Sequence, residues 1–224
     1  MNPSSRNNFF DRLLEETESA RRAFLDIPLL HRGTAGEISR ELYIAFLGQA
    51  YHHVKHTVPL LMACGARLPF HQEWLREAIA EYIKEETGHQ EWILNDIAAC
   101  GGDREATRNS RPLPATELMV AYAWDSIQRG NPVSFFGMVL VLEGTSVRLA
   151  TTAADAIQKR LELPDEAFTY LRSHGSLDIG HMDFFQKLMN RIDDPKDQED
   201  IVHMANMMYL LYGNIFRNLE EEQL

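Results

Sequence analysis

The stretch from Ser173 to His181 reads SHGSLDIGH and places His174, Asp178 and His181 at successive offsets of four and three residues. In a helix of 3.6 residues per turn, positions i, i+4 and i+7 fall within about 60° of one another, so these three side chains would share a face. Imidazole and carboxylate together are a donor set that suits divalent iron, manganese or zinc. One such triplet is only a lead, and its value depends on matching residues elsewhere in the chain.

A second set of donors occurs in Glu85-Glu86-Thr87-Gly88-His89. Glu86 and His89 form an E-x-x-H pair, which lies on one face of a continuous helix. Helical bundles that hold two iron or manganese ions use this spacing. Glu85, four residues before His89, competes with Glu86, and spacing does not separate the two. Alone, the segment would be read as a surface glutamate run with His89 in the core.

A third donor, Glu143, follows ten nearly all-apolar residues from Val133 to Leu142. A helix that is hydrophobic on all sides is buried, and an ionised glutamate at its inner end needs a cation or several hydrogen bonds. A metal ion would supply that cation, and so would Arg148. Glu143 alone does not decide between them.

The rest of the chain predicts an all-α protein, because strand-like alternation is nowhere sustained. We expect the connection from Asp103 to Pro114 to be a mobile surface loop, and we see no linker that divides 1–224 into domains. Seven helices are predicted: from a Ser4 or Ser5 cap to about Phe24, from a capping box at Thr34 and Glu37 through Leu61, from Pro69 to Ala99, from Ala115 to Gln128, from Pro132 to Leu161, from Asp165 to Ile192, and from Asp197 to the end.

Composition limits the possible partners and compartment. The net charge of −11 argues against a nucleic-acid backbone or an anionic membrane as the main partner. Two cysteines without a CxxC pair suit a reducing cytosol, and the N-terminus shows no signal-peptide core. No apolar run is long enough to span a bilayer. We therefore expect a cytoplasmic protein that acts on a small molecule.

The histidines in Tyr51-His52-His53-Val54-Lys55-His56 lack an accompanying carboxylate. We interpret them as a polar helix face rather than as direct metal ligands. His53 remains open as a residue that hydrogen-bonds to a ligand, alongside the alternates Glu85 and Arg148.

Together the three segments offer three carboxylates and three imidazoles, which divide naturally between two neighbouring metal positions. A donor set without thiolate suits iron(II) that reacts with O2 better than a closed structural zinc site. The predicted ligands are Glu86, His89, Glu143, His174, Asp178 and His181.

From about Leu42 to Tyr212 the sequence resembles the heme-oxygenase-like di-iron oxidases and oxygenases, relatives of the TenA and pyrroloquinoline-quinone synthase proteins. The resemblance rests on the E-E-x-G-H segment, the buried helical Glu143 and the H-x3-D-x2-H pattern that begins at His174. It implies a seven-helix heme-oxygenase-like bundle with two non-heme irons, manganese being possible at one position, and O2 as co-substrate. It also implies a small amino-acid or fatty-acid-like substrate and a homodimer.

Two other functions remain open. A TenA-like thiamin-salvage hydrolase on the same bundle would use Cys64 or Cys100 as its nucleophile and would need no metal. A non-catalytic bundle that carries a metal or a ligand would bind iron without consuming O2.

Overall fold

A computed structural model describes the backbone of residues 8–221 and the side chains of residues 8–146, 149–173 and 182–220. Arg148, His174, Asp178 and His181 therefore have side chains outside the described part, and the predicted cap at Ser4 or Ser5 lies outside the described residues altogether.

Every regular element within residues 8–221 is a helix, which confirms the predicted all-α class. Three 3-10 segments, at Phe70–Gln72, Pro132–Phe135 and Asp165–Phe168, each lead directly into a longer helix. The α-helices are α1 (Phe9–Glu16), α2 (Glu18–Leu25), α3 (Pro28–Thr34), α4 (Arg40–Val54), α5 (Thr57–Arg67), α6 (Glu73–Glu86), α7 (His89–Ala99), α8 (Arg104–Asn109), α9 (Pro114–Arg129), α10 (Phe136–Leu161), α11 (Thr169–Met189) and α12 (Pro195–Glu221).

The seven predicted helical segments are present, but the first three are divided by joints. The predicted capping box is wrong: Thr34 ends α3, and Ser39 caps α4 by accepting a hydrogen bond from the Leu42 amide at 3.1 Å. Pro28 begins α3, where the N–H that proline lacks is not needed, because the first turn of a helix leaves its amides without partners in the helix.

The connection after α7 also differs from the prediction. It contains α8, whose first amides, at Glu105 and Ala106, donate to the Asp103 side chain at 2.9 Å. A good N-cap residue is sufficient to start a short helix in a segment that otherwise reads as loop.

The long helix α10 organises the packing around the apolar core. It lies along α11 and α12 and also contacts α3. At Gly137 a side chain would collide with the Ile201 carbonyl, so this glycine allows α10 and α12 to approach closely. Helix α11 also contacts α7, which packs in turn against α4. The helices that carry Glu143, His89 and the His174 segment are therefore neighbours.

No single helix within the described residues is long and apolar enough to cross a membrane. One bent pair, Pro132–Ser146 with Leu149–Leu161, reaches the required length and composition only when its two parts are combined.

Candidate functional site

The E-x-x-H pair is brought together by a joint between two helices, not by one continuous helix. Glu86 is the last residue of α6 and His89 the first of α7. Between them Thr87 is extended (ψ 117°) and Gly88 is left-handed (φ 99°). Across this joint His89 Nδ1 lies 3.0 Å from Glu86 Oε2, and both side chains are almost fully buried. The predicted contact is therefore present, whereas the predicted helix through it is wrong.

The surroundings of His89 hold its ring in a fixed orientation. The ring of Trp92, one turn further along α7, lies 4.0 Å from the His89 ring between centroids, with the planes tilted by 30°. The Thr87 hydroxyl donates to the Ile83 carbonyl at 2.6 Å and so stabilises the last turn of α6. A carboxylate close to Nδ1 is a contact that orients a metal-binding histidine, and the tilted Trp92 ring restricts His89 from a second side.

Glu86 and Glu143 line the same cavity, which has a volume of about 180 Å³. The other cavity residues are mostly apolar and come from α3, α4, α5, α6, α10, α11 and α12, with Ile38 and Phe135 from the segments that precede α4 and α10. Ionised carboxylates in such surroundings require compensation by a cation or by hydrogen bonds. Two acids that face one apolar cavity, with an imidazole in contact with one of them, form a donor set that fits divalent iron.

The histidines of α4 point to different sides of that helix. His53 lines the cavity, is 4% exposed, and meets the ring of Tyr212 edge to face at 5.8 Å. His52 instead pairs with Ser110 through Nε2 at 2.8 Å and with Lys55 through Nδ1 at 3.1 Å. Burial, followed by the charges of Lys55 and His56, lowers the pKa of His52 to about 4. Of these two histidines, only His53 is placed to act in the cavity.

The two competing glutamates are distinguished by their exposure. Glu85 is exposed and does not line the cavity, whereas Glu86 lines it and contacts His89. The geometry therefore favours Glu86 over Glu85 as a metal ligand.

Within the described side chains, no group of three or more histidine, cysteine, aspartate or glutamate residues is arranged to hold a metal ion. Half of the predicted ligand set, His174, Asp178 and His181, lies outside those side chains. The backbone of α11, on which these residues occur, packs against α10 and α7.

Sequence reasoning missed Asp96, an acid of α7 that has no exposed surface. Its Oδ2 accepts a hydrogen bond from the Tyr170 amide at 2.8 Å, which caps the start of α11. Burial raises the pKa of Asp96 to about 6, although hydrogen bonds from Tyr170 and Thr169 oppose that rise. The sequence offered no clear signal for this role, because Asp96 directly follows the polar Asn95 and a residue that caps a distant helix has no fixed spacing from it.

Sequence reasoning also missed Tyr82, which lies one turn before Glu86 on α6. It is 2% exposed, lines the cavity, and packs against the ring of Phe184 with 5.7 Å between centroids. Its spacing of four residues from Glu86 is the signal that could have identified it.

Both cysteines are buried and lie away from the cavity wall. Cys64 donates its thiol hydrogen to the Pro132 carbonyl at 3.2 Å, and burial raises its pKa to about 12. Burial, with the nearby charge of Asp96, raises the pKa of Cys100 to about 11. Thiols that stay protonated at neutral pH are poor nucleophiles.

Comparison with protein-family models matches residues 44–213 to a family described as iron-containing redox enzymes. A comparison with curated proteins gives no significant match.

Solved structures share the fold over nearly the whole chain. A domain of unknown function with a heme oxygenase-like fold from Shewanella denitrificans is 25% identical, with a TM-score of 0.85 over 96% of this chain and 93% of that chain. A TenA homolog from Pseudomonas syringae is 11% identical, with a TM-score of 0.81 over 95% and 93%. Heme oxygenase-1 from the cyanobacterium Synechocystis, in complex with heme, is 13% identical, with a TM-score of 0.75 over 96% and 93%.

Proposed function

This chain belongs to the family of iron-containing redox enzymes, and on that basis we propose that it is a non-heme di-iron oxidase or oxygenase. Its co-substrate would be O2, and its substrate a small amino-acid or fatty-acid-like molecule. The heme-oxygenase-like fold predicted from the sequence is confirmed by the solved structures. The proposal of two bound irons goes beyond this fold and family assignment.

One observation carries the proposal: Glu86 and Glu143, from separate helices, line one apolar cavity, and His89 is in contact with Glu86. Carboxylates in an apolar cavity need compensation for lost hydration, and two divalent cations held jointly by these acids and the neighbouring imidazole would provide it.

The residues that would hold two iron ions are Glu86, His89 and Glu143, together with His174, Asp178 and His181 of α11. When bound, ferrous ions would supply electrons for the reduction of O2. This set contains nitrogen and oxygen donors only, which suits iron(II) with open coordination positions.

The protein's own contribution is to exclude water and to orient the donors. Phe135, Met138, Val139 and Leu142 of the segment around the start of α10 line the cavity and keep its wall apolar. The Glu86 carboxylate orients the His89 ring through Nδ1, and Trp92 restricts that ring from one face. An apolar wall prevents bulk water from intercepting reactive species during oxidation.

Anaerobic titration with iron(II) tests the proposal. We expect two irons per chain by elemental analysis, and O2 consumption when the loaded protein is mixed with oxygenated buffer and substrate. The matched controls are Glu143→Gln, which removes a proposed ligand charge, and Glu85→Gln, which alters an exposed neighbour. Absence of tight iron binding in the wild-type protein would refute the assignment.

The TenA-like hydrolase is disfavoured by the buried, protonated thiols of Cys64 and Cys100. A non-catalytic carrier protein would bind iron but leave the concentration of dissolved O2 unchanged, so the same experiment distinguishes it from an oxidase.

We further propose that the protein is a cytoplasmic homodimer that binds neither nucleic acid nor membranes. Size-exclusion chromatography with light scattering would test the proposed dimer.

A further inference from the structure

The outward side of α5 carries no acidic residue. Its exposed side chains are those of Pro59, Met62, Ala66 and Arg67. The first three recur at spacings of three and four residues, so they share one side of the helix, which we call the α5 face. Of the α-helices in residues 8–221, only the short α3 also lacks aspartate and glutamate. The α5 face is therefore an exception in a chain whose net charge is −11.

The single charged residue of α5 is engaged by α9. Arg67 donates to the carbonyl of Gly130, at the end of α9, at 3.1 Å. From the other neighbour, α6, Arg76 donates to the Gly65 carbonyl at 2.9 Å and to the Leu68 carbonyl at 2.5 Å. These hydrogen bonds hold the end of α5 and the turn after it in place. The α5 face is thus presented on a fixed support, which lowers the entropic cost of binding a partner.

Large exposed apolar side chains concentrate on α5 and the elements next to it. Among the described residues these side chains are Met62 on α5 (56% exposed), Phe70 in the 3-10 segment after α5 (94%), Leu118 on α9 (61%) and Leu210 on α12 (52%). Helix α9 packs beside α5, so three of the four belong to one region. Single exposed apolar residues are common, whereas several in one region indicate an interaction surface.

The charge of the chain indicates which partner fits this region. A second copy carries the same net charge of −11, so the acidic helices of two copies repel one another, whereas a basic partner would be attracted to them. A two-fold dimer places the same patch of both copies together, and that patch must be free of like charge. We propose that two copies of this chain associate about a two-fold axis through the α5 face, with Phe70 and Leu118 beside it.

The size of a stable interface explains why the neighbours of α5 take part. With 11 residues, α5 is about 16 Å long and about 10 Å wide, which is well short of the roughly 800 Å² that each partner buries in a standard interface. Phe70 and Leu118 extend the apolar surface beyond the helix. Met62, Phe70 and Leu118 do not line the cavity. The inference therefore rests on the proposed homodimer and is independent of the proposed iron site.

Sedimentation equilibrium of the full-length protein over a range of concentrations tests the interface. The wild type should dimerise, and Met62→Glu and Phe70→Glu should each raise the dimer Kd at least about a hundredfold, because every added carboxylate is present in both copies. Leu210→Glu changes a similarly exposed side chain on α12 and should dimerise as the wild type does. A monomeric wild type, or wild-type Kd values in both Met62→Glu and Phe70→Glu, would overturn the proposal.

Cross-linking tests whether α5 meets α5 of the second copy. Met62→Cys and Ala66→Cys each add one accessible thiol, because the native Cys64 and Cys100 are buried. Oxidation should join at least one of these variants into a covalent dimer on non-reducing electrophoresis, whereas Leu210→Cys should remain a single chain there. Absence of the covalent dimer in both α5 variants would overturn the proposed contact.

Salt dependence distinguishes this interface from one built on ion pairs. Added salt screens the repulsion between two acidic copies, so the wild-type dimer should persist or become tighter as the salt concentration rises. A dimer that dissociates with added salt would contradict an uncharged interface.

Failure here is distinguishable from failure of the proposed function. Met62→Glu and Phe70→Glu leave the cavity lining unchanged, so both should bind iron as the wild type does. A wild type that binds two irons but stays monomeric would retain the oxidase and remove this interface. A dimer that depends on Met62 and Phe70 but takes up no iron would retain the interface and remove the oxidase.

Discussion

At the scale of single residues, Glu143 is the proposed ligand whose position bears most directly on the function. It follows an apolar helical run and lines a cavity in which Leu142, Val139 and Met138 are neighbours. A carboxylate in such surroundings loses hydration, and the loss must be offset by a cation or by hydrogen bonds. The sequence alone left Arg148 as a possible partner, and that side chain lies outside the described residues.

Glu143→Gln tests the ligand assignment with little change in volume. We expect iron(II) affinity to fall by at least about a hundredfold, because even residues that only support a ligand change metal affinity by about 10- to 100-fold. Equilibrium dialysis against iron(II) under anaerobic conditions measures the change. Glu85→Gln, which alters an exposed glutamate beside the site, should bind iron as the wild type does. An unchanged affinity in Glu143→Gln would remove Glu143 from the proposed ligand set.

At the scale of helices, the joint between α6 and α7 is what brings Glu86 and His89 together. The E-x-x-H spacing predicted the contact correctly, because both a helix and this joint bring residues three apart within reach. It could not predict the break, since glycine also occurs within helices and its backbone angle is set by packing. The left-handed Gly88 is visible only in the structure.

Gly88→Ala should disrupt this joint. At φ 99° a Cβ is strained, and we expect the free energy of unfolding to fall by about 1–2 kcal/mol. Urea denaturation measures this loss, and iron affinity should fall with it because His89 shifts relative to Glu86. The comparison is Gly144→Ala within α10, where a Cβ meets no atom within 4 Å and alanine should stabilise the helix by up to about 1 kcal/mol. Equal stability of the two variants would contradict the importance of the left-handed turn.

A second contact between elements joins α7 to α11 through Asp96. Its carboxylate caps α11 at Tyr170, four residues before His174, so the helix that carries His89 also fixes the start of the helix with the other predicted ligands. The charge pattern of the sequence did not reveal this role. Acids that cap a distant helix have no fixed spacing from the helix they cap.

Asp96 also predicts a dependence of stability on pH. Burial raises its pKa from 3.8 to about 6, so between these values the folded state retains a proton that the unfolded state releases. Its contribution to the free energy of unfolding is therefore present below about pH 4 and is lost as pH rises through 6. Asp96→Asn removes this titration, while its amide oxygen can still accept from Tyr170.

The measurement is the free energy of unfolding of wild type and Asp96→Asn from pH 4 to 7 by urea denaturation. The free energy of unfolding of the wild type, relative to that of Asp96→Asn, should fall by about 2 kcal/mol as the pH rises from 4 to 7. Above that pH the difference should stay constant. Parallel curves for the two proteins would show that Asp96 titrates normally in the folded state.

At the scale of the whole molecule, the fold alone does not determine the chemistry. A TenA homolog and a heme-binding heme oxygenase match this chain with TM-scores of 0.81 and 0.75 at only 11% and 13% identity. Proteins with one fold differ in function through the residues of their sites. Here the helical pattern predicted the bundle, and the donor residues, not the bundle, favour iron.

If six ligands from four helices hold two irons, metal binding must stabilise the entire fold. The proposed ligands fall in three segments, around residues 86–89, at Glu143 and at 174–181, that are far apart in sequence, so an unfolded chain cannot present them together and metal would bind the folded state selectively. At an iron(II) concentration of about 100 times Kd, the folded state gains about 2.7 kcal/mol for one site. Anaerobic thermal unfolding should therefore show Tm rising with iron(II) and falling on addition of a chelator. The shift should be much smaller in Glu143→Gln and unchanged in Glu85→Gln. A Tm that does not depend on iron(II) in the wild type would mean that these helices do not share a metal site.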